Sequence, residues 1–91
     1  MTDALRVTEF RAAVLVDLDL RSDAFPATLL KTIEALGALP VGGQLEVTVS
    51  DPHSVAALPK GVREAGHRAL EPIRVPDGFR IRVERGARSG S

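Results

Sequence analysis

Apolar periodicity switches from two to about three and a half and back along this chain, and that alternation narrows the folds open to it. From Phe10 to Leu20, Phe10, Ala12, Val14, Val16, Leu18 and Leu20 fall on one side; Arg11, Ala13, Leu15, Asp17 and Asp19 fall on the other. Period two is the mark of a strand with one buried face. After a polar turn at Arg21-Ser22-Asp23, Phe25, Leu29, Leu30, Ile33 and Leu36 take three- and four-residue spacing, with Gly37 placed to end a helix. Val41-Gly42-Gly43 then turns the chain into a second one-sided strand, Gln44 to Ser50.

Asp51-Pro52 opens a second helical stretch with Val55, Leu58, Val62 and Ala65 on one stripe. Pro59 and Gly61 lie inside it, so the expectation is a short turn before Pro59 and a better helix after it. Arg68 to Val75 and Phe79 to Glu84 read as two strands joined by Pro76-Asp77-Gly78. Pro72 places the first of these at an edge or a bulge. Residues 86–91, small and polar, read as a flexible tail. The order is β-α-β-α-β-β: an α+β chain with both helices on one face of one four-stranded sheet and the other face open to solvent.

With 91 residues, the chain reads as a single domain, its core spanning about 10–85. Twelve basic residues balance twelve acidic ones, so bulk charge does not favour a polyanion. No cysteine occurs, which excludes disulfides, thiolate nucleophiles, persulfide formation and Cys-ligated metals for this chain. The longest apolar run, Ala12 to Val16, is far shorter than the ~20 residues of a membrane span. With Asp3 and Glu9 near the N-terminus in place of a basic leader, the default expectation is a cytoplasmic protein.

Several fixed residues, in one order from about Val16 to Arg85, resemble the TusA/SirA-like family of small sulfur-carrier proteins. Asp17 in the first strand, Phe25-Pro26 as the second half of a C-P-x-P motif, Lys31 in the helix body, Asp51-Pro52, Pro59 and Gly66-His67 carry the resemblance. It implies a two-layer α/β sandwich with a four-stranded mixed sheet. In that family a cysteine at the start of the first helix carries sulfane sulfur as a persulfide from a desulfurase to an acceptor, and a helix N-terminus suits such an anion. The matching position here is Asp23, followed by Ala24 where the motif has proline. A carboxylate cannot hold sulfur, so sulfur transfer is not carried over, and the expectation leans away from an enzyme.

Asp23 reads in two ways: as the N-cap of the first helix, or as a fixed negative charge presented where a carrier presents its persulfide. The second reading makes Asp23, Phe25 and Pro26 a docking surface for a desulfurase or another sulfur-relay enzyme. It describes a protein-interaction or regulatory module without catalysis. The alternatives are an accessory component of a sulfur-transfer assembly whose cysteine lies on another protein, and a small self-associating domain, such as a homodimer, of unrelated function.

Other candidates have simpler readings. Asp17, Asp19 and Asp23 suggest a cation site, but Asp17 and Asp19 fall on the solvent face, where cross-strand pairing with Arg80 or Arg82 would account for them. His53 and His67 are the only histidines, too few for a multi-histidine zinc site, and His67 reads as a structural or surface residue. Gly42-Gly43-Gln44 matches a hydrolytic tripeptide of release factors but falls in the turn entering the second strand. Six arginines lie between Arg68 and Arg88, yet with neither Tyr nor Trp a stacking platform for nucleic acid is missing. No cofactor, metal, nucleic acid or membrane is expected.

Overall fold

A computed structural model describes residues 15–87. Strands β1 (Leu15–Asp19), β2 (Gln44–Val49), β3 (Arg68–Ala69), β4 (Ile73–Val75) and β5 (Gly78–Glu84) form one sheet, with helices α1 (Ala27–Gly37) and α2 (Pro52–Glu64) between the first three. The sheet order is β1-β2-β5-β3, with β4 also paired to β5. The β1–β2 ladder is parallel and the others antiparallel, so the sheet is mixed. The part of the first strand expected over Phe10 to Val14 lies outside the described residues.

Alternation decides the layers. Leu45, Val47 and Val49 of β2 stand opposite Val83, Ile81 and Phe79 of β5. Five of these six, Leu45, Val47, Val49, Ile81 and Val83, are at most 1% exposed, and Leu58 and Val62 of α2 are fully buried against them. Burying a side chain of this size stabilises the fold by roughly 1.5–3 kcal/mol before chain entropy is counted. Glu46 and Arg82 face each other on the open side, where the Arg82 guanidinium donates to Glu46 Oε2 at 3.1 Å.

Five strands appear where four were expected. Along the last lane Ala69 faces Val83 and Ile73 faces Arg80, four steps on one strand against three on β5. One extra residue is therefore accommodated in the segment that contains Pro72, which has no N–H for a ladder. The expected bulge is what splits the lane into β3 and β4.

The second helix also departs from expectation, running unbroken from Pro52 to Glu64 with Pro59 inside it. Proline here removes one i→i−4 bond, and burial of Leu58, Pro59 and Val62 on the sheet holds the helix together across the gap. Gly61 marks the closest approach of the helices: a Cβ there would stand 2.6 Å from Leu29 Cδ2 of α1.

In α1 the buried positions are Thr28, Thr32 and Leu36, with Leu29 and Ile33 beside them. Leu30, expected on the apolar stripe, is 66% exposed. At 100° per residue Leu30 lies well off the Thr28-Thr32-Leu36 line, so its side chain turns to solvent. The two threonines tolerate burial because their hydroxyls are used. Thr28 Oγ1 lies 2.7 Å from Ser54 Oγ of α2, and Thr32 Oγ1 donates to the Thr28 carbonyl at 2.8 Å.

Candidate functional site

Because β1 and β2 are parallel and each runs into a helix, the N-terminal ends of α1 and α2 come together at one edge of the sheet. Asp23, Phe25 and Pro26 occupy the loop leading into α1, and Asp51, Pro52 and His53 begin α2. Three contacts tie these segments. The Phe25 and His53 rings stack with centroids 4.6 Å apart and planes 30° from parallel. Asp51 Oδ2 accepts from the Ser54 N–H at 3.0 Å, capping α2, and from the Phe25 N–H at 3.5 Å. The Thr28–Ser54 hydroxyl contact lies directly beneath.

The carboxylate of Asp51 is held below its ordinary range, first by the hydrogen bond from Ser54 and despite some desolvation. Its other oxygen, Oδ1, is buried without a hydrogen-bond partner. Phe25 is half-buried at this corner rather than in the central apolar cluster, and Pro26 beside it is exposed.

Asp23 does not cap α1. That helix begins after Pro26, and no side chain caps it. The Asp23 carboxylate instead accepts from Lys31 Nζ, one helical turn inside α1, at 3.0 Å. Its side chain is 25% exposed, which leaves an ion pair at the mouth of the loop.

The remaining candidates are dispersed. Asp19 pairs with Arg21 at 2.8 Å, and the same guanidinium reaches Asp77 at 2.9 Å. The hydrogen bond from Arg21 lowers the Asp19 carboxyl to about 2. The expected pairing of Asp17 and Asp19 with Arg80 or Arg82 does not form, because β2 lies between β1 and β5 and sets Glu46 and Thr48 opposite those arginines. Asp17, Asp19 and Asp77 line an open concavity of about 330 Å³ on the helix-free face. With Asp19 on Arg21 and Asp23 on Lys31, the three aspartates expected as cation ligands do not converge.

Pro59 is buried in α2. His67 is only 9% exposed, and its Nδ1 accepts from the Gly86 N–H at 3.0 Å. It joins the end of α2 to the segment after β5, far in sequence from Asp23. Gly42-Gly43 is a turn: Gly42 donates to the Arg85 carbonyl, and Arg85 donates back to that of Gly43.

Against known proteins, the family model described as "Sulfurtransferase TusA" matches residues 16–85. The chain belongs to the TusA family. A relative from Archaeoglobus fulgidus, described as a "Putative sulfur carrier protein", is 34% identical over 71 residues, covering 78% of this chain and 97% of its own. The crystal structure of a SirA-like protein from Desulfitobacterium hafniense superposes with a TM-score of 0.68 at 22% identity, over 78% of this chain and 97% of that one. At that identity the superposition carries the TusA-like fold alone. The 91 residues hold no cysteine, in the loop before α1 or anywhere else.

His53, Ser54 and Thr28 are the site residues that sequence reasoning missed. Asp51-Pro52 is a helix-start signal, and α2 begins there, with Asp51 as its cap. Nothing in the sequence marks His53 as the partner of Phe25, since that contact depends on how the two helices lie side by side.

Proposed function

We propose that this protein is a non-catalytic member of the TusA family, a docking or regulatory module for sulfur-relay enzymes of the cytoplasm, acting through Asp23, Phe25 and Pro26. The observation that carries the reading is the state of Asp23. Since it is not spent as a helix cap, its carboxylate remains in the loop at the N-terminal end of α1, positioned by Lys31. By the resemblance in sequence this is where carriers hold their cysteine. A persulfide and a carboxylate are both anions, and a partner surface built for the first presents charge that receives the second. Absence of a thiol means that docking ends without transfer.

The supporting geometry is the rigid edge beside it. The Phe25–His53 stack and the shared Asp51 acceptor hold the loop on two helices at once, which lowers the ordering cost of binding. The test is titration of a cysteine desulfurase from the same host with wild type, Asp23→Ala and Asp23→Cys. Binding by wild type that weakens roughly tenfold or more in Asp23→Ala supports docking at this residue. Asp23→Cys is expected to take up one sulfur atom, read by intact mass. Equal binding of wild type and Asp23→Ala, or none by either, overturns the proposal.

A further inference from the structure

We propose that Arg85 and Gly86 form a clasp that closes on neutral His67 and opens when that imidazole takes up a proton. The chain is held on several sides as it leaves β5. The Arg85 carbonyl accepts from the Gly42 N–H at 3.0 Å, and the Gly86 N–H donates to His67 Nδ1 at 3.0 Å. The Arg85 guanidinium reaches the end of α1 and donates to the carbonyls of Gly37 and Leu39. Gly86 lies so close to the turn after α2 that a Cβ on it would stand 2.0 Å from the Gly66 carbonyl oxygen.

The clasp turns on one acceptor. Neutral imidazole offers a bare Nδ1 while its proton sits on Nε2, whereas in the imidazolium both ring nitrogens donate. Two N–H groups then point at each other across 3.0 Å, and His67, 9% exposed, meets little water that could separate them. Charge acts in the same direction. Around the ring the described elements bring Arg63 and Glu64 at the end of α2, Arg68 of β3, and Glu84 and Arg85 at the end of β5. Arg63 donates to the Ala69 carbonyl and lies 3.8 Å from Glu71, and Arg68 lies 4.0 Å from Glu84. The carbonyls of Gly61, Val62 and Arg63 at the end of α2 already accept from the amides of Ala65, Gly66 and His67, so they offer an imidazolium little. Burial, and then the Arg85 cation, resist protonation of the ring while the clasp is closed. The closed form also carries a cost that opening removes, since Arg85 Nε is buried with no hydrogen-bond partner among the described residues.

Amide hydrogen exchange followed by NMR tests this on the intact chain. With an ordinary pKa of about 6.5 in the opened form, His67 raises the open population about tenfold between pH 7.5 and pH 5.5. Protection of the Gly86 and Gly42 amides, corrected for the intrinsic pH dependence of exchange, should fall by that factor and stay constant in low urea, as a local opening requires. Val47, in the middle of the sheet, should exchange by a urea-dependent route. In His67→Asn an uncharged acceptor remains, so protection of Gly86 and Gly42 should not change over that pH range. Gly86→Ala should leave the Gly42 amide unprotected at neutral pH while Val47 stays protected. Wild-type protection at Gly86 that does not vary with pH overturns the proposal, as does the same variation in His67→Asn or an exchange that shares the urea dependence of Val47. If His67→Asn does not fold, wild type decides alone: protection at Gly86 must fall in step with protonation of His67, read from its ring nitrogen shifts. None of these readouts involves Asp23 or a sulfur-relay enzyme, so the clasp and the docking function stand or fall separately.

Discussion

The hydroxyls of Thr28 and Ser54 meet at 2.7 Å in the fully buried seam between the two helices. Each satisfies the other where water has no access. Thr28→Val is expected to destabilise the fold by about 1–3 kcal/mol, because the Ser54 hydroxyl is left buried without its partner. Adding Ser54→Ala should recover part of that loss. Urea unfolding of the singles and the double measures it, and a double mutant as unstable as the sum of the singles would contradict the pairing.

Phe25 and His53 are coupled across the same seam. An aromatic pair of this kind is worth roughly 0.5–1.5 kcal/mol beyond its buried area. A double-mutant cycle with Phe25→Leu and His53→Ala should return a coupling of that size. Additive effects would mean the stack contributes nothing to holding the loop.

Asp51 joins that seam to α2. Asp51→Ala removes the cap and the acceptor for Phe25, with an expected cost of about 1–2 kcal/mol. The folded carboxyl lies below its ordinary value of 3.8, so its contribution is fully present above that pH and is lost as the pH falls through the folded value. Wild type should therefore lose more stability than Asp51→Ala between neutral pH and the acid range, as read by urea midpoints.

His67 makes the opposite pH range informative. Burial, followed by the nearby Arg85 cation, lowers its pKa below the ordinary 6.5. The unfolded chain thus takes up a proton at a pH where the folded one does not. Stability from this residue is complete above about 6.5 and declines as the pH drops below it, until the folded value is reached. His67→Asn keeps an acceptor for the Gly86 N–H and removes the titration. The variant's urea midpoint should vary less with pH between neutral and mildly acidic conditions; an unchanged slope would place the titration elsewhere.

The sheet was legible in the sequence because period two leaves little choice: Leu45, Val47, Val49, Ile81 and Val83 all point to the helices as their alternation requires. Pro72 announced its bulge for the same local reason, a missing N–H. Two local signals misled. Pro59 reads as a break, yet packing of its helix face on the sheet outweighs one lost hydrogen bond. Leu30 reads as core, yet helix phase turns it to solvent and buries Thr28, whose hydroxyl finds a partner on α2.

At the candidate site the division is sharper. Sequence alone determined that these residues hold no thiol, that Asp23 stands in the loop before the first helix, and that Asp51 starts the second. Tertiary structure decided what each carboxylate does. Whether Asp23 caps a helix or meets Lys31 depends on where α1 begins, and whether Phe25 finds His53 depends on two parallel strands bringing two helix ends together. The Phe25–His53 contact spans tens of residues in sequence and a few ångströms in space, and no local periodicity encodes it.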